Sequence, residues 1–282
     1  MLKSPNVFHF TNPTVVQSTS IPLICKGGDV MIKSETGSGK TLSYLIPIVQ
    51  RLQSITPQIQ RSDGAYALIL VPTRELCVQI EETIKKLLLP FFWIVPTVIC
   101  GGQKRKSEKS RIRKGANVII STPGRLLDHA LHTSTLSLKR VQMLVLDEAD
   151  RLLDMGFDQQ LRGLLSLLGQ VSKPVQTILL SATLSPAIQK LAELSLKSPQ
   201  FIDVDELKKG DAPTSKSKSD AKDDVKNAKD TKSEVKTEEG VFRVPIASTY
   251  PEVLLCYHFA EFGMDAELKT LRVEAIDIHT EQ

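Results

Sequence analysis

The chain has 282 residues, a formal charge of +4 and 41% hydrophobic residues, enough apolar content for a buried core and too much for a wholly disordered polypeptide. The mild positive charge is compatible with a nucleic-acid partner without requiring one. Cys25, Cys77, Cys100 and Cys256 form no CxxC pair, which speaks against a zinc site or a disulfide framework and for reduced, buried thiols. No apolar run reaches the roughly 18 residues of a membrane span, and residues 1–10 lack the charged-then-apolar order of a signal peptide, so an intracellular protein is expected.

Between residues 29 and 204 short apolar, β-rich runs alternate with longer helix-like stretches, which predicts an α/β domain with a parallel sheet covered on both faces. Strands are predicted at VMIK (30–33), ALILV (67–71), TVIC (97–100), NVIIS (117–121), MLVLD (143–147) and QTILLS (176–181). The stretch 40–53 reads as a helix that Pro47 should kink or shift, since proline removes a helical hydrogen bond. Over 74–89, Leu76, Ile80, Ile84, Leu87 and Leu88 recur at helical spacing and should face the sheet. After residue 204 the composition changes. Residues 205–240 are rich in Lys, Asp, Glu, Ser and Ala, cannot bury enough surface to offset their ordering entropy, and read as a disordered mixed-charge linker before a short divergent tail, 241–282.

SETGSGKT follows the first strand: Ser34, Glu35, Thr36, Gly37, Ser38, Gly39, Lys40 and Thr41. It matches a phosphate-binding loop with serine in place of the first glycine. Gly37 and Gly39 allow backbone N–H groups to turn inward as an anion nest, and the next helix adds its N-terminal dipole. In that pattern Lys40 reaches the β and γ phosphates of ATP and the Thr41 hydroxyl ligates Mg²⁺. A triphosphatase also needs an acidic site, and Asp147-Glu148-Ala149-Asp150 supplies one at the end of a strand. Asp147 suits the Mg²⁺ shell, partly through water, and Glu148 suits the attacking water, making Lys40, Asp147 and Glu148 the candidate catalytic residues.

DEAD at this position, with SAT (Ser181, Ala182, Thr183) after the next strand, resembles the DEAD-box family of ATP-dependent RNA helicases, specifically the first RecA-like domain, here assigned to residues 1–204. FTNPTVVQ (10–17) is similar to the family's Q motif, implying that Gln17 reads the adenine edge, although His9 stands where the family usually has glycine. PTREL (Pro72, Thr73, Arg74), the pair Gly101 and Gly102, and TPGR (Thr122, Pro123, Gly124, Arg125) resemble the family's RNA-backbone contacts. Their hydroxyls, glycine-exposed N–H groups and arginines suit phosphate oxygens. The resemblance also implies that Ser181 and Thr183 approach Asp150 and couple hydrolysis to RNA grip. Every motif but the glutamine segment follows an apolar strand, so all should converge on the carboxyl edge of the sheet.

Lys104 to Lys114, KRKSEKSRIRK, holds seven basic residues and one acid. It reads either as a solvated helix face or as a sequence-independent RNA contact. With IQRSDGAYALILVPTREL, this region resembles a nucleolar branch of the family that acts in large ribosomal subunit assembly, which implies pre-ribosomal RNA as partner and a nucleolar location. The family's second RecA-like domain, with its HRxGRxxR motif, has no counterpart in the sequence. The chain is therefore expected to carry the ATP-binding half of the motor, either as part of an RNA-dependent ATPase or as a fragment that binds ATP and RNA without turnover. Gln17, DEAD and SAT together disfavour a P-loop kinase or a DNA helicase.

Overall fold

The computed structural model describes residues 12–210, apart from positions 103 and 172. Seven parallel strands, β1 (Val30–Lys33), β2 (Ala67–Leu70), β3 (Pro96–Ile99), β4 (Val118–Ser121), β5 (Met143–Leu146), β6 (Gln176–Ser181) and β7 (Gln200–Asp203), form one sheet in the order β3-β4-β2-β5-β6-β1-β7. Helices precede, connect and follow the strands: α1 (Val15–Cys25), α2 (Lys40–Gln53), α3 (Arg74–Leu87), α4 (Arg105–Arg113), α5 (Pro123–His132), α6 (Ala149–Asp154), α7 (Asp158–Gly169), α8 (Pro186–Ser195) and α9 (Val204–Gly210). This is the parallel α/β sheet expected from the strand–helix alternation, in the RecA-like form that the family resemblance implies.

Strand side chains alternate between two cores. Val30, Ile32, Ala67, Ile69, Met143, Val145, Ile178 and Leu180 pack with α1, α2 and α3. Met31, Leu68, Leu70, Leu144, Leu146 and Leu179 pack with residues of α5, α6, α7 and α8. A strand buried on both faces has no polar face to display, which is why these runs read as nearly continuous aliphatic sequence. At the opposite edge from the motifs, Asp29 fixes the register: Oδ1 accepts from Thr177 N–H at 2.7 Å and Oδ2 from Lys197 N–H at 2.6 Å.

Several expectations need adjustment. β7 is not among the predicted strands; it pairs with β1 at the sheet edge. Helix α2 continues past Pro47 to Gln53, where burial of every residue from Leu42 to Val49 lets tertiary packing outweigh one missing backbone bond. Cys77 and Cys100 are buried, but Cys25 is exposed at the end of α1. Burial pushes the Cys77 thiol up to about 12. The linker boundary expected at residue 205 falls inside α9, where Asp203 Oδ1 accepts from the Asp205 and Glu206 amides at 3.0 and 3.3 Å. Residues 211–240, the tail 241–282 and Cys256 lie outside the described residues, as do His9 and Phe10 of the glutamine segment.

Candidate functional site

The strand order sorts the motifs into two neighbouring groups at the carboxyl edge. β5, β6 and β1 are adjacent, and their ends carry DEAD, SAT and the phosphate-loop sequence. β3, β4 and β2 are adjacent, and their ends carry the Gly pair, TPGR and PTREL. The strand order thus gathers the motifs into two groups on one edge, meeting where β2 pairs with β5.

On the first site, the Ser34 hydroxyl donates to Ser38 at 2.7 Å and the Ser34 amide to the Ser181 carbonyl at 3.0 Å. The serine in the first-glycine position therefore braces the loop from inside. Lys40 turns back over the loop, its Nζ donating to the carbonyls of Ser34 and Glu35, each at 2.7 Å. Burial draws the Lys40 ammonium below its ordinary range, while Asp147 and Glu148 pull it up. Gly39, at φ +98°, is the N-cap of α2. A Cβ there would meet Gln17 Nε2 at 2.7 Å and Thr14 Oγ1 at 2.9 Å, so only glycine fits. At Gly37, φ +78°, a Cβ would meet nothing within 4 Å, leaving open space over the loop.

Gln17 is buried on α1. Its Nε2 donates to the Gly39 carbonyl at 3.1 Å, and its Oε1 accepts from the Thr14 amide at 3.0 Å. The side chain thereby ties the glutamine segment to the phosphate loop through backbone groups.

Asp147 is 3% exposed. Its Oδ2 accepts from the Tyr44 hydroxyl at 2.8 Å and its Oδ1 from the Glu148 amide at 2.9 Å. Burial pushes the carboxyl up to about 6, against the Tyr44 hydrogen bond and the Lys40 charge, which draw it down. The phenol that holds Asp147 stands on α2, the helix that also carries Thr41. Sequence reading missed Tyr44. Its position four residues after Lys40, one helical turn on, was the available signal.

Glu148 caps α6 in the left-handed region, at φ 51° and ψ 51°, a conformation costly for a residue with a Cβ and characteristic of functional turns. Its Oε2 pairs with Arg151 Nη1 at 2.9 Å. Asp150 does meet the SAT segment, but through the backbone: Oδ2 accepts from the Ala182 amide at 3.0 Å. The Ser181 hydroxyl is buried and accepts from the Thr183 amide at 3.3 Å. Ser185 and Pro186 open α8 with an ordinary cap to the Ile188 amide at 3.4 Å.

On the second site, Pro72 is buried and Thr73 caps α3, accepting from the Leu76 amide at 3.3 Å. Arg74 is exposed, and its guanidinium lies over Gly102, where a Cβ would stand 2.9 Å from Nη1. Gly102 takes φ +83°. Thr122 and Pro123 begin α5, with Gly124 next, and Arg125 Nε lies 2.8 Å from Glu108 Oε2. The basic run becomes α4. Lys104, Lys106, Arg113 and Lys114 are exposed, whereas Arg105 pairs with Asp128 at 2.7 Å and Arg111 donates to the Val98 carbonyl at 3.1 Å. The run is thus neither wholly solvated nor uniformly available to a ligand.

The fold and edge define the chain as a RecA-like α/β domain with a phosphate-loop sequence. A family profile for the DEAD/DEAH box helicase matches residues 14–191, and the chain belongs to that family. It is 52% identical over 198 residues to the human protein named ATP-dependent DNA helicase DDX31, covering 70% of this chain and 23% of that one. It is 42% identical over 228 residues to the ATP-dependent RNA helicase dbp7 of Aspergillus niger, covering 74% of this chain and 30% of that one. The chain therefore spans less than a third of the length of these relatives. Among solved structures, the yeast DEAD-box splicing factor Prp28 superposes with a TM-score of 0.64 at 33% identity, over 69% of this chain and 46% of that one. A DEAD box protein from Methanococcus jannaschii superposes with a TM-score of 0.60 at 31% identity, over 72% and 55%. No helix among the described residues is long and apolar enough to cross a membrane.

Proposed function

We propose that this chain is the ATP-binding half of an ATP-dependent RNA helicase. The observation that carries the reading is the division of one sheet edge into a phosphate-loop and acid site on β5, β6 and β1 and a hydroxyl, glycine and arginine site on β3, β4 and β2. The first site fits ATP and Mg²⁺: open space over Gly37, a lysine held on loop carbonyls, and a buried carboxylate held by Tyr44 of the helix that carries Thr41. Mg²⁺ there would offset phosphate charge and would be held by Thr41 and Asp147, partly through water. Lys40 exchanges the carbonyls of Ser34 and Glu35 for phosphate oxygens. Glu148 orients and polarises the attacking water, its Oε2 being paired with Arg151 in this structure. Gln17, already against the phosphate loop, reads the adenine edge. Asp150 and the Ala182 amide join this machinery to the segment holding Ser181 and Thr183.

At the second site Thr73, Arg74, Gly101, Gly102, Thr122, Gly124 and Arg125 contact the RNA backbone, with Pro72 and Pro123 shaping their turns. Such contacts position a strand without reading its sequence. The human relative's name specifies DNA and the Aspergillus relative's RNA; the preference for RNA rests on the resemblance of the glutamine, DEAD and SAT motifs. Pre-ribosomal RNA as substrate, ribosome assembly as process and the nucleolus as location follow from the branch that IQRSDGAYALILVPTREL and the basic run resemble.

Titration with a fluorescent ATP analogue tests the first site. Lys40→Ala should weaken binding about tenfold or more, through removal of a charge-assisted hydrogen bond, while Glu148→Gln should leave it within about threefold because its carboxylate acts on water rather than on the ground state. Unchanged affinity in Lys40→Ala would overturn the assignment. Competition between RNA and DNA strands of one sequence tests the second: stronger binding of DNA would transfer the reading to a DNA substrate.

A further inference from the structure

The basic run contains one acid, and the fold buries it. Glu108 is 0% exposed on α4. Its Oε2 lies 2.8 Å from Arg125 Nε and 3.0 Å from His129 Nε2, both on α5. His129 is also fully buried, and its Nδ1 is 2.9 Å from the Thr133 hydroxyl. With the Nε2 proton directed at the carboxylate, Nδ1 accepts from Thr133, which fixes the ring. Glu108 Oε1 is buried with no hydrogen-bond partner among the described residues.

A buried carboxylate with one oxygen unsatisfied is a poor way to fill a helix face. Beside Ile112, one turn along the same inward face, an aliphatic side chain would pack without the desolvation cost. The charge is therefore best explained by what it holds. Arg125 is the last residue of TPGR, and its side chain keeps 22% exposure. The contact with Glu108 is a close ion pair at Nε rather than a directed hydrogen bond. Nη1 stands 3.8 Å from Asp128 Oδ2, and Asp128 in turn takes Arg105 at 2.7 Å. A guanidinium drawn onto a buried carboxylate is confined by that charge contact, and ordering entropy of its long side chain is lost on folding rather than on binding.

We propose that Glu108, braced by His129, is a positioning residue that presents the Arg125 guanidinium to a phosphate oxygen of a bound nucleic-acid strand. This rests on the reading that Arg125 contacts the strand. It makes an acid beside a polyanion favourable, the reverse of what simple charge addition gives.

The test is a double-mutant cycle on the 282-residue chain, read as affinity for a labelled single-stranded RNA. Glu108→Leu should weaken binding about tenfold, and Glu108→Gln, which keeps the volume and one acceptor oxygen, about threefold or less. In an Arg125→Ala background neither substitution should weaken binding further, because the effect acts through Arg125. Urea unfolding and ATP-analogue binding run in parallel, and if Glu108→Leu fails to fold, Glu108→Ala takes its place in the cycle with the same expected loss. Affinity that rises or stays level on removing Glu108, or a loss of equal size in the Arg125→Ala background, would overturn the proposal. An Arg125→Ala variant that binds like the wild type would instead overturn the reading beneath it.

Discussion

Gly37→Ala and Gly39→Ala place the same methyl group at two neighbouring positions of positive φ, +78° and +98°, and should differ in cost because only one has neighbours. The left-handed backbone costs each alanine about 1–2 kcal/mol. At Gly37 nothing lies within 4 Å of the added carbon, so the penalty ends there. At Gly39 the carbon would stand 2.7 Å from Gln17 Nε2 and 2.9 Å from Thr14 Oγ1, well inside the ~3.5–4.0 Å of favourable contact. Gln17 must then move, losing its bond to the Gly39 carbonyl, a net ~0.5–1.5 kcal/mol. Forcing the neighbouring α1 residues apart adds an overpacking cost of about 1–3 kcal/mol. Gly39→Ala should therefore be roughly 1.5–4.5 kcal/mol less stable than Gly37→Ala. Urea unfolding of both variants, followed by circular dichroism, measures the difference. Equal stabilities would refute the claim that the glutamine segment is locked to the phosphate loop at this glycine.

Two further outcomes follow from the same geometry. Tyr44→Phe removes the hydroxyl that bonds buried Asp147 and should destabilise the domain by about 1.5–3 kcal/mol, the range for a bond to a charged group; unfolding curves that overlay the wild type would show that the phenol is spectator packing. Replacing the exposed Lys104, Lys106 and Lys114 with alanine should flatten the plot of log RNA affinity against log salt by about 0.7 for each phosphate that α4 no longer neutralises. Arg105→Ala alone should change it less, since Arg105 already pairs with Asp128, and an unaltered slope in the triple variant would return α4 to a solvated face.

The sheet was legible because its strands are buried on both faces and flanked by polar or Gly/Pro residues. VMIK and QTILLS match their observed bounds, β2, β4 and β5 are each one residue shorter than predicted, and β3 is shifted by one residue toward the N-terminus. β7 escaped because its four residues, Gln-Phe-Ile-Asp, carry only two apolar side chains and pair with a single neighbour at the edge. The motif residues were legible because phosphate and metal chemistry restricts which side chains can serve. What holds them was less so. Tyr44 reaches Asp147 across 103 positions of sequence, a pairing no local pattern encodes. The Asp150 contact runs through the Ala182 amide, and a backbone donor leaves no trace in residue identity. Glu108 is the instructive case. It sits in a run that reads as surface charge, yet its spacing of four from Ile112 puts it on the inward face of α4, where its partners are two residues of α5.

The central claim, that one sheet edge carries two separate sites, is tested most directly by hydrogen–deuterium exchange of the 282-residue chain with a non-hydrolysable ATP analogue and Mg²⁺, and separately with a single-stranded RNA. The account predicts that nucleotide protects residues 34–41 and 147–150, and that RNA protects 72–76, 101–102 and 122–125. Protection of one common set of peptides by both ligands, or RNA protection confined to the ends of β1, β5 and β6, would contradict it.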